Sequence, residues 1–315
     1  MNFKVKKLIK NKNIYIIMYH YVREVKHSNY PNLKALELNE FKKQISFFKK
    51  NFNFIDQNNL EEIISSKKIP NKPSILLTFD DGLIDHYKYV FPILLKNKIS
   101  GCFYPSIRAL KQNEVLEVNK IQFILEKEKN RKKILSEIEA NLIKLSGEKL
   151  EKFYNKIKQW SRFDDKDTFF IKQLLQHLLH TKIRNKITNK LFQKTVNREE
   201  KDFASKLYMS SKNIKEMYLN KMFIGLHGSD HLWLKYLNKN EQEREIKNSL
   251  SFFSKIGIKN NISMAYPYGS YNKITLNLLK KYKIKFAFTT KPGSINSNNL
   301  MKRYLFPRYD TNDFK

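Results

Sequence analysis

Residues 73–82 read PSILLTFDDG, and this stretch constrains the chain more than any other. From Ile75 to Phe79 the run is aliphatic, β-branched or aromatic, bounded by Pro73 on one side and Gly82 on the other. A short apolar run with such boundaries reads as a buried strand. The strand ends in two adjacent carboxylates, Asp80 and Asp81. Neighbouring acids at the end of a buried strand repel each other, so something must hold them there.

The surrounding segments supply a context for that strand. NIYIIMYHYV (13–22) and GCFYPS (101–106) read as further buried strands. LNEFKKQISFFKKNF (38–52) has apolar residues at helical spacing, with Asn39 as the expected N-cap. NFIDQNNLEEIISSKK (53–68) reads as a short strand and a helix. HYKYVFPILLKNKI (86–99) reads as a helix with Pro92 as an irregularity inside it. Strand and helix alternating at this rhythm predict an α/β fold with a mainly parallel sheet. Reactive side chains in such folds gather at the carboxyl ends of strands, where Asp80 and Asp81 stand.

The middle of the chain breaks the rhythm. Residues 113–212 contain one glycine, Gly147, and no proline. Four stretches there have helical spacing: 118–145, 148–160, 169–180 and 184–196. Strand and helix then resume through SSKNIKEMYLNKMFIGLHGSDH (210–231), EQEREIKNSLSFFSKIG, ISMAYPYGSYN, ITLNLLKKYKIKFAFTT and LFPRYD. The expected organisation is one α/β domain in two parts, 12–112 and 210–315, around a mostly helical insertion at 113–209. The insertion is expected to serve as a lid or a partner surface.

Charge narrows the partners. The 315 residues carry a net charge of +31. Such a balance raises nucleic acid, a membrane surface or a polyanionic glycan as partners. Residues 113–212 hold 23 basic and 14 acidic side chains, a net of +9 of that total. The excess is therefore spread evenly, as compositional bias would spread it, and no specific nucleic-acid partner is expected. Cys102 is the only cysteine, so neither an intrachain disulfide nor a cysteine-based zinc cluster is available. The basic start, MNFKVKKLIK, precedes too short an apolar run for a signal peptide, and no segment approaches the ~20 apolar residues of a membrane span. The expected location is cytoplasmic, with peripheral membrane association as a further expectation.

GLHGSDHLWL places His227 and His231 four residues apart after an apolar run. Two histidines in a loop are commonly hydrogen-bonding residues. Two imidazoles and a carboxylate also make a catalytic metal set with coordination positions left open. A divalent cation would keep adjacent carboxylates ionised. One acid would then bind the metal and the other would act as a base on water.

TFDDG (78–82), HGSDH (227–231) and YPYG (266–269), in this order, resemble the central motifs of the polysaccharide deacetylases, the NodB-type group of carbohydrate esterase family 4. YIIMYHYV resembles the amino-terminal strand of the branch with an MYH motif, and GCFYPS resembles another strand of the family. The resemblance covers 12–112 and 210–310. It implies a distorted (β/α)7-type barrel and a divalent metal, zinc above all. It implies hydrolysis of an N-acetyl or O-acetyl group on a cell-surface polysaccharide or its glycan- or lipid-linked precursor. By that resemblance Asp80 is the catalytic base and Asp81, His227 and His231 are the metal ligands. The backbone N–H of Tyr268, between Pro267 and Gly269, is the oxyanion donor.

The chain departs from the family at three points. Gly228 stands where a hydroxyl residue usually follows the first histidine. Ala265 and Tyr266 precede Pro267 where the family has an arginine that orients the base. No histidine follows His231, so the family's late general acid has no counterpart. Arg308 and Asp310 are candidates for tuning the site, with a surface or carboxy-terminal ion pair as the alternative. His20 is a candidate site-lining residue and proton donor. His86, His177 and His180 lie in helical patterns and are expected to be ordinary. Trp233 and Tyr236 are expected to pack in the core, with stacking on a sugar as the alternative. The departures keep two other functions open: hydrolysis of a different C–N bond, and a catalytically degenerate member that binds glycan or membrane.

Overall fold

The structure is a computed structural model describing residues 11–157, 160, 164–259 and 262–314. The basic stretch 1–10 lies outside the described residues, as do Lys158 and Gln159 of the helix expected over 148–160. The chain forms two compact units. The first contains Met1–Glu24, Ala35–Asn113 and Ala204–Lys315, and the second contains Val25–Lys34 and Glu114–Phe203.

In the first unit, among the described residues, seven parallel strands form a ring. They are β1 (Ile14–Tyr19), β2 (Ser74–Asp81), β3 (Cys102–Pro105), β4 (Phe223–Ile224), β5 (Met264–Ala265), β6 (Ala287–Phe288) and β7 (Tyr309–Asp310). The order β7-β1-β2-β3-β4 makes one continuous sheet, and β5 pairs with β6. Single parallel bridges, Leu226 to Met264 and Phe288 to Phe306, join the two pieces and close the ring. The expected distorted (β/α)7 barrel is the fold observed. The distortion is plain in the strand lengths: β1 and β2 pair over six residues, whereas β4 to β7 are two residues each. A short strand, Asn53–Phe54, pairs with the start of β2 beyond the ring.

The sequence explains why β2 is central. All eight of its residues are buried. Its internal polar side chain, Thr78, donates from Oγ1 to the Ile17 carbonyl at 2.8 Å. Tyr19, Phe79 and Phe103 stack across β1, β2 and β3 with centroids 5.0 and 4.7 Å apart. Cross-strand aromatic pairs of this kind fix register. The helix Leu38–Asn51 lays Leu38, Phe41, Ile45 and Phe48 onto this ladder, the helical spacing read from the sequence. Phe41 meets Tyr19 edge-on at 5.4 Å.

Two local expectations are corrected. Asn39 is not the N-cap: Glu37 occupies that position without a side-chain cap, because the short strand Leu36–Glu37 runs straight into the helix. The segment 86–99 is not one α-helix. It opens with a π-helical turn, His86–Val90, and becomes α-helical at Phe91–Lys96, with Pro92 in the first turn. Proline has no N–H to donate, and a first-turn position asks for none.

The second unit is helical. The pattern over 118–145 divides into Glu117–Lys127 and Arg131–Ser146, with Asn130 capping the second through its side chain. Thr181–Val196 packs beside them, burying Ile187, Leu191 and Phe192. Lys120 is buried there and satisfied by Glu200 and Asn189, each at 2.6 Å. No described helix is long and apolar enough to cross a membrane.

Phe79 is fully buried at the centre of the aromatic ladder. Phe79→Ala is expected to cost about 3–5 kcal/mol in urea unfolding. Leu219→Ala, at a side chain 70% exposed, should stay within about 0.5 kcal/mol of the parent. Equal losses at the two positions would show that the ladder does not organise the barrel.

Candidate metal centre and catalytic carboxylate

The two acids at the end of β2 part company. Asp80 faces Arg308, while Asp81 faces His227 and His231. Successive strand residues point to opposite sides. Asp81 turns further because its φ is +73°, followed by Gly82 at +78°. The opening problem of adjacent charges is therefore met by separate cationic or polar surroundings for each carboxylate.

The Asp81 side brings three donor atoms together. Asp81 Oδ1 lies 3.4 Å from His227 Nε2 and 3.3 Å from His231 Nε2. All three potential ligand atoms lie within 4.8 Å of one another, and all three residues are buried. His227 Nδ1 is 2.7 Å from the Ala265 carbonyl. A carbonyl only accepts, so Nδ1 carries a proton; Nε2, facing Asp81, donates to that carboxylate when the ring is protonated and offers a lone pair to a cation when it is neutral. A backbone acceptor behind a histidine is the usual support for a metal ligand. Burial acts to raise the Asp81 pKa, but hydrogen bonding from both histidines outweighs it and holds the carboxyl well below the usual range. Burial likewise opposes protonation of His227, and the charges of Asp80 and Asp81 overcome it and raise its pKa. This donor set, two imidazoles and one carboxylate, fits a divalent cation with open positions.

The Asp80 side is a bidentate ion pair. Arg308 Nη1 and Nη2 donate to Asp80 Oδ1 and Oδ2 at 2.9 and 2.7 Å. Arg308 has no exposed surface, and its Nε donates to the Thr289 carbonyl at 3.0 Å. Burial works to raise the Asp80 pKa; Arg308 first, then His227, reverse this and hold it below the ordinary value. The arginine absent before Pro267 is thus matched by one arriving just before β7. The surface ion-pair alternative for Arg308 does not hold.

The loop between the histidines has a brace that the sequence reading missed. Glu245, buried in the helix Lys239–Lys255, accepts the Asp230 N–H through Oε2 at 2.9 Å. Gly228 has a φ of +72°, and a Cβ there would stand 2.8 Å from the same Oε2. Glycine thus replaces a hydroxyl residue so that a carboxylate from the next helix can reach the loop. Burial, followed by the neighbouring Asp230 carboxylate, pushes Glu245 up to about 7. The sequence signal available was a glutamate on the buried face of a helix that starts eight residues after His231.

Backbone strain marks the same place. Among the described residues, nine non-glycine residues have positive φ. Six of them, Lys67, Lys98, Gln112, Asn197, Lys221 and Lys283, follow helix C-termini, where the left-handed conformation is routine. The other three are Asp81, His231 and Tyr268. Left-handed side chains away from helix ends collect at functional sites.

The remaining candidates divide. Tyr268 joins the cluster, its ring 4.7 Å from that of His231. Pro267 is buried, and Gly269 is irreplaceable locally, since a Cβ would stand 2.2 Å from Thr290 Oγ1. His20 is half-buried, and its charge is felt at both Asp80 and Asp81. His86 is not an ordinary helix residue: it is fully buried with Nε2 2.8 Å from the His20 carbonyl. Asp310 caps its own turn, its Oδ1 accepting the Asn312 N–H at 2.8 Å. Trp233 is half-buried and Tyr236 is 58% exposed, so the expected core packing does not describe them.

Comparison with known proteins agrees with this geometry. The family model described as Polysaccharide deacetylase matches residues 155–287, which include both histidines and the Pro267–Gly269 turn. The Bacillus subtilis (strain 168) protein YxkH, a polysaccharide deacetylase by its name, is 29% identical over 101 residues, 32% of this chain. That match spans about a third of YxkH, 36% of its length. The Streptococcus pyogenes deacetylase PplD, solved in complex with acetate, superposes with a TM-score of 0.56 at 18% identity, covering 95% of this chain and 92% of PplD. IcaB from Ammonifex degensii gives a TM-score of 0.54 at 16% identity, covering 96% and 93%. A de-N-acetylase from Aggregatibacter actinomycetemcomitans gives 0.55 at 13% identity, covering 94% of each chain. The resemblance to polysaccharide deacetylases is borne out. At these identities the solved structures show a shared fold.

The raised Glu245 pKa has a sign that can be checked. A carboxyl whose folded pKa exceeds its unfolded value contributes stability that is full below the ordinary glutamate pKa of about 4.3. That contribution is lost as pH rises through about 7. Metal-free wild type is therefore expected to lose thermal stability relative to Glu245→Gln across this window. A difference that is flat, or that grows in favour of the wild type, would contradict the assignment.

Proposed function

We propose that this chain is a metal-dependent hydrolase that removes acetyl groups, N-acetyl first, from a cell-surface glycan or its glycan- or lipid-linked precursor. One observation carries the reading: Asp81, His227 and His231 converge beside a second buried carboxylate that is held apart from them by Arg308. Hydrolysis of an unactivated amide needs water made nucleophilic, a carbonyl made electrophilic and a place for negative charge. Asp81, His227 and His231 would hold a divalent cation, zinc first by its liking for imidazole and carboxylate donors. When bound, that cation supplies Lewis-acid polarisation.

The protein's own groups do the rest. Asp80 accepts a proton from the water that adds to the acetyl carbon. Arg308 keeps Asp80 ionised and fixes both its oxygens, so the base has one orientation. The Tyr268 N–H donates to the oxyanion as it forms. The strained turn at Tyr268, φ +57°, fixes where that N–H stands before substrate arrives. The C–N bond then breaks, and the departing amine takes up a proton. His20, carried at the end of β1 and anchored through its carbonyl by His86, is the donor proposed for that step.

Acetate release from acetylated amino sugars and chitooligosaccharides tests the reading. Release is expected to need a divalent metal, to stop on chelation, and to fall about 10²–10⁴-fold in Asp80→Asn. One bound metal without release from any acetylated sugar would favour a protein that only binds glycan.

Arg308 gives a second, independent test. It lowers the Asp80 pKa, so Arg308→Gln should raise it. The acidic limb of the kcat/KM profile, which requires ionised Asp80, should then move to higher pH. A limb that stays in place would mean that Asp80 is not the titrating base.

A further inference from the structure

A groove in the first unit lies between a barrel helix and the chain that leads into β7. One wall is the helix Lys273–Lys281, through Leu276 and Lys280, and the other is the segment 301–305. Its volume is about 450 Å³, within the ~300–1,000 Å³ of ligand sites. The Arg303 carbonyl accepts the Ala287 N–H at 2.8 Å, so this segment runs beside the start of β6. The candidate metal ligands stand instead at or beyond the carboxyl ends of their strands. The segment is pinned: Tyr304 Oη donates to the Ile284 carbonyl and Tyr266 Oη to the Tyr304 carbonyl, both at 3.0 Å. The groove thus has a fixed wall before any ligand arrives.

Its lining has two characters. Leu276 and Leu305 are half-buried, and Met301 is 56% exposed. Lys280, Lys302 and Arg303 are exposed. Among the described residues none of these three is in an ion pair, whereas the adjacent Lys281 meets Glu243 at 2.7 Å. Lys280 stands in the last turn of its helix, where a cation complements the dipole. That does not account for Lys302 and Arg303, which belong to no helix.

Charge and apolar surface together select the ligand. A free phosphate would meet the cations and leave the leucines and Met301 wet. A neutral apolar molecule would cover those side chains and leave the cations without a counter-charge. An anionic lipid does both: its phosphate meets the cations, and its glycerol and first methylenes cover the apolar floor. The chain's net charge of +31 draws it to an anionic surface in any orientation, and the groove chooses which face settles there.

We propose that this groove seats an anionic phospholipid of a bilayer surface, and that the protein docks on membranes through Lys280, Met301, Lys302 and Arg303. Lipid binding there is independent of the reaction at the metal-ligand cluster.

Cys102 is the only cysteine and is buried, so a thiol introduced on the surface can be labelled alone. Met301→Cys, carrying a polarity-sensitive fluorophore, is mixed with phosphatidylcholine vesicles made with or without phosphatidylglycerol. A blue shift is expected with phosphatidylglycerol only, and none for the same label on Lys215→Cys. No shift at position 301, or an equal shift at 215, would overturn the proposal. Inorganic phosphate and polyglutamate should give no shift. A full shift with either would make the groove a seat for a soluble anion or an acidic protein instead. Unlabelled variants separate the groove from net charge. Lys280→Gln/Lys302→Gln/Arg303→Gln should lose about 100-fold in partitioning to the phosphatidylglycerol vesicles. Lys96→Gln/Lys212→Gln/Lys215→Gln removes as much charge from exposed positions on the helices before β3 and β4. That variant should stay within about threefold of the parent. Equal losses in the two variants would reduce the effect to net charge and sink the groove as a site.

Discussion

The Arg308–Asp80 pair is the interaction on which the candidate site depends. Asp80 and Asp81 are covalent neighbours and both are about 98% buried. Without a partner for the first, the second could not stay ionised among two imidazoles. A guanidinium supplies what that position requires: a permanent charge, a planar fork matching both carboxylate oxygens, and weaker hydration than an ammonium. The pair ties the end of β2 to the segment entering β7, and β1 lies between those two strands in the sheet. The barrel thus brings together residues more than two hundred positions apart.

Around that pair the backbone is bent at several points. Asp81, His231 and Tyr268 accept left-handed conformations, and Gly228 and Gly269 leave room that a side chain would fill. Two hydrogen bonds brace this region: the Asp230 N–H on Glu245 and the His227 ring on the Ala265 carbonyl. Rigid support of short loops at strand ends is how an α/β barrel converts a tolerant scaffold into fixed geometry.

The parts legible in the sequence were those encoded locally. The apolar run of β2, the paired acids and the His-x-x-x-His spacing each lie within a dozen residues, and periodicity or adjacency exposes them. Helical spacing in 38–52 exposed the face that covers the aromatic ladder. What stayed hidden is encoded at long range. Arg308 is a site candidate from the sequence, but its pairing with Asp80 is not legible there: LFPRYD is too short for any period, and the partner lies 228 positions away. Glu245 looks like any helix glutamate until the fold brings Gly228 against it. Strands β4 to β7 are two residues each, below the length at which alternation can be recognised, so the closed ring was expected only through the family resemblance. Tyr236 was assigned to the core because aromatic residues usually belong there, and a one-dimensional pattern does not report which face of a loop meets water.

The placement of the three candidate ligands has a consequence for how the fold is held together. Asp81 ends β2 and His227 follows β4, with β3 between those two strands in the sheet. A cation shared by Asp81, His227 and His231 would act as a cross-link spanning the whole chain segment from 81 to 227, second unit included. Closing so long a loop removes conformational freedom from the unfolded chain and ties the end of β2 to the end of β4 across β3. The ion would then serve as a rivet as well as a reagent.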